Sequence, residues 1–409
     1  MENRWPTSFR AVNGSVTTPQ GFSAGGLHCG LKPDGRPDLG AILCEVPAAA
    51  AAVYTRNAFQ AAPIAVTKES LGVDGRLQVV VVNSGNANAC TGEEGLADAR
   101  RMRELAAQAF GVRDHHVAVA STGVIGVRLD MDRVREGIGR LPQATSKNGG
   151  DAFCRAIMTT DLVKKEACAA VEIDGRTAYI AGAAKGSGMI HPDMATMLGF
   201  LTTDAAIDRS ALSRLLAGAV DETFNMITVD GDTSTNDMVT VMASGLAGNR
   251  PLDEQHRDWP AFAAAFRYVC EALAKAIARD GEGATKLIEV CVEGAASSRA
   301  ARVIARTVAG SNLVKSACFG ADANWGRIIA AVGRSGQPVR TDAVDVRLGD
   351  IPVLVGSRPV AFDEEKAKAY LLGDFVRIVV DLHMGEGRAT AWGCDLTYDY
   401  VRINAAYRT

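Results

Sequence analysis

The chain has 409 residues, 47% of them hydrophobic and 22% charged, enough for two or three domains around a large buried core. Its net charge of −3 argues against a nucleic-acid-binding protein, which would show a basic field. The longest apolar run, Val46 to Tyr54, is mostly alanine and far short of the about 20 residues a membrane-spanning helix needs.

In chain order, the first ten residues lack the apolar core of a signal peptide, so the expected location is cytoplasmic. Gln78 to Val82 is a short β-branched run that reads as a strand, followed by the Gly/Asn-rich turn Asn83–Asn88. Apolar positions from Glu93 to Phe110 recur at helical spacing. His116 to Ala120 reads as a second buried strand, ending in Ser121-Thr122-Gly123. Helices are expected at Ser210–Thr223, Trp259–Arg279, Trp325–Val332 and Asp363–Leu372. Strands are expected at Tyr179–Ala183, Thr240–Ala243, Leu287–Val292, Val376–Leu382 and Arg388–Gly393. This mixture predicts an α/β or α+β protein with helices covering its sheets and a boundary near residue 290.

Several familiar chemistries do not fit. The nine cysteines are scattered without a C-x-x-C pair, which predicts reduced, mostly buried thiols. His115 and His116 are adjacent and in a strand would face opposite ways, so no metal site is expected. Asp230–Asp237 begins like a calcium loop but has Thr235 and Val241 where that loop needs Gly and Glu, and reads better as a rigid turn near a site. Gly281–Lys286 lacks the spacing of a phosphate loop. It is either a plain turn or a loop presenting Glu282 to a site.

Three segments do suggest chemistry. Ser121-Thr122-Gly123 closes an apolar strand with amides and a hydroxyl, the donors an oxyanion hole requires. Lys185-Gly186-Ser187-Gly188 runs into Pro192, a constrained path that ends at Ala195-Thr196. There the Thr196 hydroxyl is placed to attack the Ala195 carbonyl, and cleavage would free a threonine whose own α-amine serves as base. Each segment alone also reads as an ordinary turn.

Taken together the segments resemble the ornithine acetyltransferase (glutamate N-acetyltransferase) family. The likeness runs through Asp38–Ile42, Ala61–Pro63, Val82–Gly92, Ser121–Gly126, Ala156–Asp161, Lys185–Leu198, Phe224-Asn225 with the Asp230–Asp237 turn, Asp280–Lys286, Asn324–Arg327 and Tyr398–Thr409. Small departures are Asp193, where the family often has Asn, and Ala323, where Pro is common.

The resemblance implies self-cleavage into chains 1–195 and 196–409, with Thr196 as nucleophile and Thr122 and Gly123 as oxyanion stabilisers. Substrate contacts carry over to Thr159, Lys185, Thr196, Glu282, Asn404 and Thr409. The implied fold is a helix–sheet–sheet–helix sandwich over 1–290, like that of self-processing aminopeptidases, with a C-terminal α/β domain over 291–409. The implied reaction moves the acetyl group of N-acetyl-L-ornithine to L-glutamate in arginine biosynthesis. It needs no cofactor, and the sequence leaves open whether acetyl-CoA also serves as donor. Small molecules are the expected partners, and two αβ pairs the expected assembly. Two competing readings are a self-processing aminopeptidase or amidase that releases its acyl group to water, and a binding protein that keeps only the fold.

Overall fold

The computed structural model describes residues 8–191 and 197–406. In chain order the strands are β1 (Phe9–Ala11), β2 (Phe22–Leu27), β3 (Leu39–Tyr54), β4 (Arg76–Asn86), β5 (Val117–Val124), β6 (Lys165–Ile173), β7 (Arg176–Lys185), β8 (Leu198–Thr203), β9 (Ile227–Thr228), β10 (Met238–Ala243), β11 (Leu287–Ala295), β12 (Asp345–Leu348), β13 (Ile351–Val355), β14 (Arg358–Pro359), β15 (Phe375–Asp381) and β16 (Gly387–Cys394). The helices are α1 (Ala62–Asp74), α2 (Gly92–Phe110), α3 (Met131–Ala144), α4 (Gly150–Ile157), α5 (Arg209–Glu222), α6 (Trp259–Arg279), α7 (Ser298–Ala309), α8 (Asn312–Phe319), α9 (Trp325–Gly333), α10 (Glu364–Leu371) and α11 (Tyr398–Ala406).

Among the described residues nine strands form one sheet in the order β1-β6-β7-β8-β10-β3-β4-β5, with β2 also on β3. β3 serves both ends of that sheet. Its first half pairs with β2 and β4, its second half pairs with β10, and the register shifts between Leu43 and Ala48. Side-chain alternation shows the result. Val80, Val82, Ala118 and Ala120 share a core with Ala183, Phe200, Met238 and Met242, so β4–β5 and β7–β8–β10 face one another. Behind β4–β5, Val79, Val81, Val117 and Val119 pack on Met102 of α2 and Ile138 of α3. Behind the other half, Ile180, Leu201, Val239 and Val241 pack on Leu216 of α5 and Phe266 of α6. Helix, sheet, sheet and helix are therefore stacked in the layer order the resemblance implies.

The second sheet runs β14-β13-β12-β15-β11-β16-β9 and starts with Leu287, while reaching back to Ile227–Thr228 for its last strand. α7 packs across β11 and β16. Among the described residues no helix is long and apolar enough to cross a membrane.

α6 spans the residues its periodicity predicts, entered through a proline in its first turn that cannot use an amide donor there anyway. α5 starts where Asp208 accepts from the amides of Ser210 and Ala211. Two expectations need correction. β5 does not stop at Ala120 before a Ser121-Thr122-Gly123 turn but continues through Val124, because Ser84 and Gly85 of β4 still pair with Thr122 and Gly123. His115 and His116 are not in a strand. They sit in the 3₁₀ turn Asp114–His116, where both rings reach the Asp74 carboxylate, at 3.5 and 3.0 Å.

Candidate active site

A cavity of about 230 Å³ opens where the two facing half-sheets, the α6–β11 loop and α11 meet. Thr122 and Gly123 come to it from β5, Lys185 from the end of β7, and Thr159 from the loop after α4. Glu282 comes from the α6–β11 loop, Asn404 from α11, and Asp230 to Asp237 from the turn before β10. Six of the expected site residues, from five separate parts of the chain, are thereby brought together.

The chemistry centres on β5 and β7. Lys185 Nζ donates to Thr122 Oγ1 at 3.2 Å. Next to it, Gly123 has φ +133°, and a Cβ there would lie 2.3 Å from the carbonyl carbon of Gly85. Only glycine lets β4 and β5 approach this closely in that conformation. Ser121, just before Thr122, is held on both sides. Its hydroxyl donates to Asn83 Oδ1 at 2.6 Å, and its carbonyl accepts from Asn236 Nδ2 at 2.8 Å. Such anchoring gives the preorganisation that an oxyanion site needs.

Beneath the cavity lies a buried charge network. Lys165 Nζ donates to Asp161 Oδ1 at 2.7 Å, to Asp280 Oδ2 at 2.6 Å and to the Val163 carbonyl at 3.2 Å, so its three protons are used. Asp161 also accepts from the amides of Thr159 and Gly186, which sets the positions of Thr159 and Lys185. Burial pushes the Asp161 carboxyl up, but Lys165, Lys185 and these donors outweigh it and bring it down to about 2. Burial lowers Lys185, against the opposing pull of Asp161, Asp237 and Glu282. Burial raises Asp237 well above the ordinary carboxylate range, against the pull of Lys185 and Ser234.

The segment after Lys185 is fastened by the Asp230 turn. The amides of Met189 and Ile190 donate to the two oxygens of Asp230 at 2.6 and 2.9 Å, with Met189 held at φ 55°. Thr233 Oγ1 donates to the His191 carbonyl at 2.8 Å. On the far side of residues 192–196, Met197 O accepts from the Met238 amide at 3.1 Å. The chain is therefore fixed immediately before residue 192 and immediately after residue 196. Gly188 leaves room for Glu282, whose carboxylate oxygens would lie 2.4 and 2.5 Å from any added Cβ. Asn404 Nδ2 completes that corner by donating to Glu282 Oε2 at 2.8 Å.

Ala195, Thr196 and Thr409 lie outside the described residues. Sequence reasoning missed Tyr400, one helical turn before Asn404 on α11 and so on the same side of that helix. Burial, and then the nearby charge of Asp230, raise its hydroxyl. Sequence reasoning also treated Asn236 and Asp237 only as parts of a turn, although both line the cavity. Two His/Asp groups close enough to share an ion occur among the described residues, Asp74/His115/His116 and Asp174/His256/Asp258, and neither lines the cavity.

Comparison with known proteins adds a family to this geometry. The ArgJ family model matches residues 23–409. A relative from Geobacillus kaustophilus, the arginine biosynthesis bifunctional protein ArgJ, is 59% identical over 398 residues, 97% of this chain and 97% of its own. The protein of the same name from Halalkalibacterium halodurans is 57% identical over 408 residues, 100% of this chain and 99% of its own. A crystal structure of the arginine biosynthesis bifunctional protein argJ from Bacillus halodurans is 59% identical with a TM-score of 0.50, covering 51% of this chain and 98% of that one. With a family model that spans nearly all of its length, this chain belongs to the ArgJ family.

Proposed function

We propose that this chain is an arginine-biosynthesis acetyltransferase that cleaves itself between Ala195 and Thr196 and then uses Thr196 to move the acetyl group of N-acetyl-L-ornithine to L-glutamate. One observation carries the reading: the Lys185–Thr122 contact lies in a single cavity with Gly123, Thr159, Glu282 and Asn404, directly beside both fixed ends of the cleavage segment. The names of the 59% and 57% identical relatives support the pathway. The half-length solved chain from Bacillus halodurans supports a protein that works as two pieces.

In this reading the Thr196 hydroxyl attacks the acetyl carbonyl, its own α-amine takes the proton, and the tetrahedral oxyanion is held at Thr122 and Gly123. One such donor contributes on the order of 3 kcal/mol to the transition state. Ornithine leaves and an acetyl-threonine ester remains. Glutamate then enters the same cavity and attacks the ester. Both substrates carry an α-carboxylate, and Lys185 is the only cation among the described lining residues, which suits it to bind that group. Glu282, held by Asn404, is placed to receive a substrate amine. No cofactor enters this chemistry, and acetyl-CoA would act only as a second acetyl donor. Two αβ pairs working in the cytoplasm complete the proposal.

Mass spectrometry after incubation with N-acetylornithine tests it. The expected product is a β chain that begins at Thr196 and carries one added acetyl group, which glutamate removes. Thr196→Ala should remain one uncleaved, inactive chain. A wild-type protein that stays in one piece, or that releases ornithine at the same rate without glutamate, would overturn the reading.

A further inference from the structure

One carboxyl group of the cavity wall has no part in the mechanism so far. Asp237 is 3% exposed and lines the cavity together with Thr122, Lys185 and Glu282. Its Oδ2 is buried and has no hydrogen-bond partner among the described residues. Ser234 reaches the carboxyl group but leaves this oxygen unpaired, whereas Asp161, Asp230 and Glu282 have no such orphaned oxygen among the described residues. The backbone that carries Asp237 is fixed on every side. Thr55 N–H donates to its carbonyl at 2.9 Å, Asn236 Nδ2 holds the Ser121 carbonyl, and Met238 N–H is bound to Met197 O. The side chain therefore cannot easily move away to find water or a partner elsewhere.

A buried polar atom left unsatisfied costs about 1–3 kcal/mol. A rigid wall that keeps such an atom facing a cavity points to a partner that arrives with the ligand. The titratable groups around Asp237 are Lys185 from β7, Glu282 from the α6–β11 loop, Asp230 and Asp232 from its own turn, and Tyr400 from α11. Lys185 is the one cation among them, and the surrounding burial raises Asp237 well above the ordinary carboxylate range, which favours its protonated form.

Acetyl transfer between amines raises a proton problem that Thr196 alone does not solve. The acceptor glutamate arrives as an ammonium ion, which cannot attack an ester, and ornithine leaves as an amine that must become an ammonium ion. We propose that Asp237 exchanges this proton with the substrate nitrogen, giving it to the departing ornithine amine and taking it back from the incoming glutamate ammonium. The proposal rests on the acetyl-transfer reading above.

The atoms balance. In the first half, the Thr196 oxygen–carbon bond forms and the amide C–N bond breaks. The hydroxyl proton, carried by the threonine α-amine, reaches the nitrogen, and the Asp237 proton adds a second charge-bearing hydrogen to it. Asp237 is left as a carboxylate facing Lys185. In the second half, the glutamate ammonium returns a proton to Asp237. Its neutral amine then forms the new C–N bond, the ester C–O bond breaks, and the amine's surplus proton returns to the Thr196 oxygen. No proton is gained or lost over the cycle.

Asp237→Asn keeps the shape of the side chain and removes the exchangeable proton. The processed variant is first acetylated to completion with N-acetylornithine, and loss of the acetyl group is then followed by mass. With glutamate at neutral pH, deacetylation should be about 100-fold slower than in wild type, within the usual range for a general base. It should recover in alkaline buffer, where free glutamate is already an amine. Hydroxylamine, uncharged at neutral pH, should remove the acetyl group from both proteins at the same rate. Equal rates with glutamate would overturn the proposal, and so would an equal loss with hydroxylamine, which marks a structural defect. If the variant cannot be processed, the infrared spectrum of wild type decides. A protonated-carboxyl band should disappear on acetylation in the absence of glutamate, and a band that persists overturns the proposal. Wild type that forms no acetyl-threonine overturns the underlying reading instead, and this is seen before any variant is made.

Discussion

Lys185 Nζ donates to Thr122 Oγ1 at 3.2 Å, joining the end of β7 to the irregular end of β5. The bond crosses between the two half-sheets that face each other through the central core, so Lys185 and the Thr122-Gly123 end of β5 come from opposite walls. Lys185→Met should keep the fold, because the methionine fills the same buried space, yet lose the ammonium. A lost hydrogen bond from a charged group is worth about 2 kcal/mol, or a factor of about 30 in kcat/KM for glutamate. Steady-state kinetics over a range of glutamate concentrations checks this. Lys185→Arg should not restore the rate, since a planar guanidinium does not replace a point charge at a site 8% exposed.

Gly123 and Gly139 make a matched pair. A methyl group at Gly123 would meet the backbone of Gly85 and Asn86 at 2.3 and 2.5 Å, at a φ of +133° that other residues avoid. Gly123→Ala must push β4 and β5 apart and should cost about 3 kcal/mol, from overpacking added to backbone strain. Gly139 lies within α3, and a methyl group there meets nothing within 4 Å. Gly139→Ala should stabilise the protein by up to about 1 kcal/mol. Urea denaturation of the two variants should therefore move in opposite directions.

Why the sequence disclosed some of this and not the rest is seen in particular elements. α6 was legible end to end, because one face of a long helix is buried and the apolar period is unbroken. The alanine run Ala48–Ala52 lies in strand β3 against its own helix preference, since pairing with β4 and β10 on both sides overrides a local propensity. The folding of one sheet onto itself depends on contacts far apart in sequence, which no local pattern records. At the site, Thr122, Gly123, Lys185 and Glu282 could be named from motifs. Asp237 could not be singled out, because its distinguishing property is an oxygen left unpaired among the described residues around it.

Lys165 should be among the least replaceable residues for stability. Its side chain is fully buried, and both Asp161 and Asp280 depend on it. Lys165→Met would leave two carboxylates in the interior without their cation, a change that costs about 3–5 kcal/mol in comparable buried pairs. The triple variant Lys165→Met/Asp161→Asn/Asp280→Asn should recover part of that loss, because no buried charge is then stranded. Midpoints of denaturant unfolding for the single and triple variants make the comparison. A triple variant no more stable than the single one would mean that the carboxylates are needed for their backbone donors rather than for Lys165.

Asp161 and Asp237 flank Lys185 and should make stability depend on pH with opposite signs. Asp161 is brought from an ordinary 3.8 down to about 2 in the folded protein. Between those values the unfolded chain binds more protons, so the stabilisation, about 2 kcal/mol, is complete above pH 4 and is lost as pH falls towards 2. Asp237 is raised above 3.8, so the folded protein holds a proton that the unfolded chain releases. Below pH 3.8 this costs nothing; as pH rises above it, stability declines until the folded carboxyl itself ionises. Asp161→Asn should therefore weaken the protein near neutrality and have little effect in strong acid. Asp237→Asn should do the reverse, strengthening it near neutrality while impairing glutamate-dependent transfer. A group that improves stability when removed and damages turnover is what a cavity carboxyl held for chemistry should look like. Unfolding midpoints of the two variants and wild type, measured from acid to neutral pH, should diverge in these two directions.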